Sequence, residues 1–267
     1  MKQFALWLAG CVVMGSWLGA QAQVVINEFS AANYSLGIGG DNEDFVEFYN
    51  PTGAAVDLGG YFLSDDPADP TKFEIPAGTQ VNAGGYLMVM CSAEGEIPAN
   101  LYAGGNLNTN FKIRQTAGES IVFADPSGAI LEEHTFGVDW TPNQADHSWS
   151  RDVDGSANWV VCTTPTPNAS NGGTYYDGYA PTPTFSVEAG VVAAGTTVAL
   201  DGPAGFDIRY TTNGYAPTAT STLYAGPIAV NSTTVLRAAA FDPSGAMATS
   251  YVATNTYFVG DDVHSMI

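Results

Sequence analysis

The sequence has 267 residues, of which 27 are Asp or Glu against only seven Lys or Arg, giving a formal net charge of −20. A field of that sign repels phosphate backbones and excludes direct nucleic-acid binding as a first reading. His134, His147 and His264 stand apart, and the cysteines Cys11, Cys91 and Cys162 do not pair with them at zinc-ligand spacing.

Residues 1–22 read as an export signal: Lys2 is a short positive start, FALWLAGCVVMGSWLG is apolar but too short to span a bilayer, and Ala20-Gln21-Ala22 fits a small-x-small cleavage site. The mature chain is expected to begin near Gln23. Leu8-Ala9-Gly10-Cys11 has the spelling of a lipoprotein box, but lipidation at Cys11 would leave too short an apolar run before the cut, so general secretory export is the preferred reading. Without its signal the chain carries six basic and 27 acidic residues. No transmembrane segment is expected in it, and its localisation is expected to be extracellular or at the cell surface.

The first half reads as β throughout. Short runs rich in Val, Ile, Thr, Tyr and Phe alternate with Gly, Pro, Asn and Asp clusters. In order, VVINEFS, EDFVEFYN, YFLSD, KFEIP, YLMVMCS, SIVFAD, ILEEHTF and DHSWSRD are predicted strands. Asn50-Pro51-Thr52-Gly53, Leu58-Gly59-Gly60 and Asp125-Pro126-Ser127-Gly128 are predicted turns, where Pro presets φ and Gly permits a left-handed residue. Cys91 and Cys162 lie on apolar segments; in an oxidising compartment they are a candidate disulfide, with two buried free thiols as the alternative.

Residues 163–184, TTPTPNASNGGTYYDGYAPTPT, have no apolar period and read as a linker or strand-poor connection. Tyr175, Tyr176 and Tyr179 within it, with Trp140, Trp149 and Trp159, are candidate sugar-stacking rings, although rings of this kind more often pack, the tyrosines against the neighbouring domains and the tryptophans in the core or rim of the sandwich. Beyond it PTFSVEA, TTVALD, FDIRYTT, TLYAGPIAV, TTVLRAAAFD and ATSYVATNTYFV are predicted strands, enough for a second small sandwich. Asp242-Pro243-Ser244-Gly245 repeats the earlier turn between different strands. The fold class is therefore all-β: two immunoglobulin-like β-sandwiches in tandem after a cleaved signal.

The carboxylates of DNEDFVEFYN are a candidate site. A calcium loop of EF-hand type needs Gly at its sixth position, where Asp41-Asn42-Glu43-Asp44-Phe45-Val46 has Val. An irregular calcium site would instead combine Asp41, Glu43 or Asp44 with Asp65, Asp66 or Asp69; otherwise no cofactor is expected. Period two puts Glu43, Phe45 and Glu47 on one face, so the acids do not all converge. Glu47 is expected to be partly buried and to accept backbone or hydroxyl donors from a neighbouring strand or turn. Ser148, His147 and Asp146 are adjacent on a strand and point to different faces, which argues against a catalytic triad.

Residues 23–171 resemble a lamin-tail domain. The likeness lies in Ile26-Asn27-Glu28-Phe29, DFVEFYNPTGAAVDLGGYFLSDD, KFEIPAGTQVNAGGYLMVMCS and SIVFADPSGAILEEHTF, followed by SWSRDVDGSANWVVCTTPTPNASN. Glu47, Asn50, Gly59 and Gly60 are structural residues under this reading. Residues 181–259 are similar to the β-sandwich at the C-terminus of chitobiase and β-hexosaminidase-type proteins, through IRYTTNGYAPTATSTLYAGPIAV and TTVLRAAAFDPSG. Residues 172–180 form the linker and 260–267 open a further region or a tail. Bacterial proteins pairing these modules often continue into a CotH-like kinase region, but the chain contains no Gly-rich phosphate loop or catalytic Asp–Asn pair. The resemblance implies a non-catalytic binding, adhesion or spacer module with an extracellular protein or glycan partner. The alternatives are an accessory region of a larger enzyme and a carbohydrate-binding module.

Overall fold

A computed structural model describes residues 24–37, 42–93, 107–115, 119–135 and 142–260. The expected signal segment, Asp41, Trp140 and residues 261–267 lie outside them. The described residues contain no helix, in agreement with the all-β expectation, and so none long and apolar enough to cross a membrane.

In chain order the first part contains β1 (Val25–Ser30), β2 (Phe45–Tyr49), β3 (Val56–Asp57), β4 (Phe62–Ser64), β5 (Phe73–Glu74), β6 (Gln80–Val81), β7 (Tyr86–Met90), β8 (Leu107–Asn108), β9 (Ser120–Ala124), β10 (Ile130–Thr135), β11 (Ser148–Arg151), β12 (Trp159–Cys162) and β13 (Tyr175–Tyr176). A seven-stranded sheet in the order β13-β12-β11-β1-β2-β7-β8 faces a four-stranded sheet in the order β10-β9-β4-β5. Between them lies one core, including Ile26, Phe29, Val46, Phe48, Leu63, Val89, Phe123, Trp149 and Val161.

That core depends on an irregularity. β1 pairs Ile26 with Phe48 and Glu28 with Glu47, so Asn27 is an extra residue, a β-bulge. With strict alternation Ile26 and Glu28 would share a face and Phe29 would lie opposite. The bulge turns Ile26 and Phe29 inward together and leaves Glu28 on the outer face.

The mouth between the sheets is closed by charge. Arg151 of β11 donates to Glu132 of β10 at 2.8 Å, to the Ile26 carbonyl at 2.6 Å and to the Ser156 carbonyl, while Glu132 also accepts the Ile26 N–H at 3.1 Å. The Trp159 ring lies 4.8 Å from the guanidinium. Both ions thus have several partners, which a low-exposure pair requires.

Turn chemistry follows the sequence. Buried Asn50 donates its amide to the Ala54 and Val81 carbonyls, both at 2.8 Å, and its oxygen accepts the Thr52 N–H at 2.9 Å. At Gly59 a Cβ would stand 2.7 Å from the Ala77 Cα, and Gly60 has φ +82. Neither position suits a side chain. The two Asp-Pro-Ser-Gly turns are built alike: Asp125 and Asp242 each accept the N–H and hydroxyl of the Ser two residues on.

The second part contains β14 (Thr184–Phe185), β15 (Gly190–Val192), β16 (Thr196–Val198), β17 (Leu200–Asp201), β18 (Asp207–Thr211), β19 (Thr222–Leu223), β20 (Ile228–Val230), β21 (Thr234–Phe241) and β22 (Ala253–Val259). Five strands form a sheet in the order β15-β22-β21-β18-β19, with β14-β17 and β16-β20 as two-stranded pieces. They share a separate core that includes Val198, Leu200, Val230, Leu236, Ala238 and Tyr257.

The connecting segment 172–180 is packed onto both parts: Tyr175 and Tyr176 pair with Cys162 and Val161, and the N–H groups of Asp177 and Ala180 donate to the carbonyls of Ala246 and Ala248 at 2.9 and 2.8 Å. Tyr179 and Ala248 are buried in the first core. One expectation is corrected: the candidate disulfide is not formed, and Cys91 and Cys162 are free and buried. Cys91 follows β7, four strand positions from β12, which at ~4.8 Å per position is roughly 19 Å, far beyond what a bridge spans.

Replacing Asn50 with Ala strands the carbonyls and N–H of its turn and should cost roughly 3 kcal/mol in urea unfolding. The melting temperature should be the same with and without a reductant, and neither thiol should react with an alkylating agent before unfolding. Burial pushes both thiols up, Cys162 to about 11.

Candidate functional site

The convergence of acids lies on the outer face of the seven-stranded sheet. The bulge brings the side chains of Asn27 and Glu28 into one neighbourhood, and the ladder sets Glu28 directly opposite Glu47. All three residues are fully buried. Asp154 joins them from the turn after β11: its Oδ1 accepts the Asn27 amide at 3.0 Å, and Asn27 also donates to Glu47 Oε1 at 3.3 Å.

Residues 163–173 lie over this cluster and supply its donors. The Asn168 N–H meets Glu47 Oε2 at 2.5 Å, the Thr166 N–H meets Glu28 Oε2 at 3.1 Å, and the Asn171 N–H meets Asp154 Oδ1 at 2.9 Å. Asn168 holds φ +59, a left-handed conformation that Asn tolerates better than most residues. From the sheet side, Ser148 Oγ donates to Glu28 at 2.5 Å and the Tyr86 hydroxyl to Asp154 at 2.6 Å. At Gly173 a Cβ would stand 2.5 Å from the Thr164 carbonyl oxygen, so the close return of this segment needs glycine.

Burial raises the Glu47 pKa to about 8, against the Asn168 hydrogen bond, and the neighbouring Glu28 charge raises it further. Burial also raises Glu28, against its bonds from Ser148 and Thr166. Asp154 differs: burial pushes it up, but donors from Asn171, Ser170, Tyr86 and Asn27 outweigh that and hold it below its usual value. Two adjacent buried carboxylates do not both ionise readily, so near neutral pH the Glu28–Glu47 pair retains a proton. Its oxygens are engaged by the chain's own donors, and this arrangement fastens the 163–173 segment to the sheet instead of presenting an acid and a base to a substrate.

The acids considered for calcium are placed differently. Glu43 pairs with Lys112 at 3.1 Å, Asp65 pairs with Lys72, Asp66 accepts the Ala68 N–H at 2.8 Å and Asp69 accepts the Thr71 hydroxyl at 3.3 Å. Asp44 is largely buried and accepts the Asn33 N–H at 3.2 Å; burial raises its pKa to about 6. Among the described residues, which leave out Asp41, no group of three His, Cys, Asp or Glu side chains is arranged to hold a metal ion. Lysines and turn N–H groups take up the oxygens instead.

The aromatic candidates are mostly occupied as well. Tyr179 is buried, stacks on His147 with ring centroids 5.9 Å apart, and accepts the Gln144 N–H at 2.9 Å, so it offers no ligand platform. Tyr175 and Tyr176 are half-buried in β13, Trp149 is buried and Trp159 packs under Arg151. Ser148, His147 and Asp146 bond to Glu28, Tyr179 and the Tyr34–Ser35 backbone respectively and form no triad.

Glu28 and Asp154 are the acids that sequence reasoning passed over. Their signal is present: in VVINEFS the apolar residues fall at 24, 25, 26 and 29, a break in alternation that marks a bulge.

Glu47 is protonated in both folded and unfolded chains below its ordinary value of 4.5; between there and about 8 only the folded chain keeps the proton, so its contribution to stability falls as pH rises. The Glu47→Gln variant keeps an acceptor for Asn168 without the charge. It should melt above the wild type at about pH 9 and alike at about pH 4; equal melting at both would refute the protonated pair.

No curated protein matches the chain. The first family match ends before β11 and β12, which the structure nonetheless places beside β1 in the same sheet. Residues 19–138 match the Lamin Tail Domain and residues 187–254 the Chitobiase/beta-hexosaminidase C-terminal domain, so the chain carries, in that order, two domain types that are immunoglobulin-like and not themselves catalytic.

Proposed function

We propose that the chain is a non-catalytic binding or spacer module of a protein exported to the cell surface or the medium. The observation that carries this reading is the closed acidic cluster: Glu28, Glu47 and Asp154 meet beneath a covering segment whose N–H groups occupy them. A catalytic pair needs open access to a substrate. Export is supported by the secretory pattern of residues 1–22. A second reading, an accessory region of a larger enzyme such as a CotH-like kinase or a hydrolase, draws support from the match to a domain named for a glycosidase C-terminus.

The test is expression of the full chain in a bacterium with an intact secretory pathway. The expected result is a mature N-terminus at Gln23, recovery outside the cytoplasm, and retention on cell-envelope material without hydrolysis of N-acetylglucosamine oligomers. Cytoplasmic recovery with residues 1–22 intact overturns export. Hydrolysis that disappears in Glu47→Gln overturns the non-catalytic reading.

A further inference from the structure

Tyr179 belongs to both sandwiches at once. Its stretch of backbone bonds to the second: the N–H groups of Asp177 and Ala180 donate to the Ala246 and Ala248 carbonyls, and the Ala248 N–H donates back to the Gly178 carbonyl at 2.8 Å. Its ring is buried in the first core. The residue is therefore a plug, tied to the connection between β21 and β22 and seated in the other sandwich.

The socket for its hydroxyl is one tight turn, residues 144–147, just ahead of β11. The His147 N–H donates to the Gln144 carbonyl at 3.0 Å, and Asp146 between them holds φ +59. From this turn the Gln144 N–H donates to the Tyr179 oxygen at 2.9 Å, and His147 Nδ1 lies 3.0 Å from the same oxygen, with the two ring planes 6° apart. The hydroxyl has one proton of its own to place. Since Gln144 already supplies an N–H to the oxygen, that proton goes to the lone pair of Nδ1, which assigns His147 as the neutral tautomer carrying its hydrogen on Nε2.

An imidazolium has no such lone pair. When His147 takes a second proton, Nδ1 becomes a donor and the Tyr179 hydroxyl loses its acceptor inside the protein. The backbone of His147 is not free to withdraw, because its carbonyl accepts the Ser30 hydroxyl and the Asn143 amide, each at 2.8 Å. The group that gives way is the plug. Burial pushes the His147 pKa below its ordinary value of 6.5, against the attraction of Asp146, and among the described residues Asp146 is the charge that acts on the imidazole. The Asp146 oxygens are themselves engaged, by the N–H groups of Tyr34 and Ser35 and by the Ser35 hydroxyl. The other ionisable groups at the socket are phenols: Tyr179 itself and Tyr251 of the second sandwich, their rings 5.7 Å apart.

We propose that His147 is an acid-sensitive pin of the joint between the sandwiches: neutral, it holds the Tyr179 plug in the first core, and protonated, it releases the plug and lets the second sandwich turn relative to the first. Two other side-chain bonds cross the joint, from Gln144 Nε2 to the Thr249 carbonyl at 2.7 Å and from the Tyr251 hydroxyl to the Pro142 carbonyl at 2.6 Å. Both involve the stretch that carries the pin, so the bonds of the joint are gathered in one place and open together. In the released joint the imidazole meets water and returns toward 6.5, so the open form takes up the proton first. The joint is held above that value and weakens as pH falls from it toward the lower value of the seated ring; this group weakens it no further below. Such a pin gives a tandem module a rigid state and a jointed one, whatever partner it carries.

The test is backbone amide NMR relaxation of the full mature chain, read separately for the two sandwiches. They should share one tumbling time at about pH 7.5 and show two shorter ones at about pH 5, while the amide shifts within both sheets report that each remains folded. The imidazole proton shifts should place the His147 midpoint below 6.5, and the loss of common tumbling should follow that titration. His147→Gln offers Tyr179 an amide oxygen that does not titrate and should keep one tumbling time at both pH values. Tyr179→Phe removes the hydroxyl and should abolish the pH dependence. Common tumbling that survives at about pH 5, a His147 midpoint at or above 6.5, or an acid-dependent separation that persists in both variants overturns the pin.

Discussion

A single extra residue in β1 determines how both faces of the main sheet are used. Glu28 must have Glu47 opposite it for the outer row to exist, and Ile26 and Phe29 must both reach the core for the inner layer to fill. Strict alternation cannot satisfy the two demands, since residues 26 and 29 differ in parity. The bulge at Asn27 reconciles them. Its own side chain then works where it lands: Asn27 donates to Glu47 and Asp154 and accepts the Gly155 N–H at 3.1 Å, so one residue links β1, β2 and the turn after β11. A side chain lacking both a donor and an acceptor would leave that row of carboxylates without its cross-link.

The acidity of the chain has a structural explanation over much of its length. Asp125, Asp146, Asp152 and Asp242 accept hydrogen bonds from nearby N–H or hydroxyl groups, and these bonds hold their pKa values below the usual range. For exposed turns these bonds define local geometry, and salt and solvent screen their charge. Buried Glu28 and Glu47 behave in the opposite sense and favour the protonated form. One composition thus contains two populations of acid, ionised corners and a neutral seam, and net charge alone does not distinguish them. The scarcity of cations follows: turns of this kind need acceptors, and main-chain N–H groups are the donors.

The fold was legible because its longer strands alternate plainly. VVINEFS, EDFVEFYN, YLMVMCS, SIVFAD and TTVLRAAAFD each contain a strand of five or more residues. The strands that escaped notice, β3, β6, β8, β12, β13 and β15, have two to four residues, too few for a period to show. The acidic cluster was legible only at Glu47. Its other members come from positions far apart in sequence: Glu28 and Ser148 are separated by 120 residues and Glu47 and Asn168 by 121. The donors on the covering segment are mainly backbone N–H groups, which a Pro- and Thr-rich stretch does not advertise. The tyrosines of the same stretch posed the converse problem, since a ring suited to stacking on a sugar is equally suited to a core.

How the two sandwiches are joined bears on what a module of this type transmits. Tyr179 sits in the first core with Ala248, a residue from the turn region between β21 and β22. Around that contact, Gln144 donates to the Thr249 carbonyl at 2.7 Å and the Tyr251 hydroxyl to the Pro142 carbonyl at 2.6 Å. Tyr179 and Tyr251 also meet as rings, 5.7 Å between centroids. A flexible tether would need none of these bonds, and each restricts rotation about the connection. The segment 163–180 therefore acts twice: its first half covers the carboxylate seam of the first sandwich, and its second half binds the strand connection of the second. Because Asp146 of the same 142–147 region accepts the Tyr34 N–H, the joint between the sandwiches and the anchor of the loop that carries Tyr34 share one short stretch of chain.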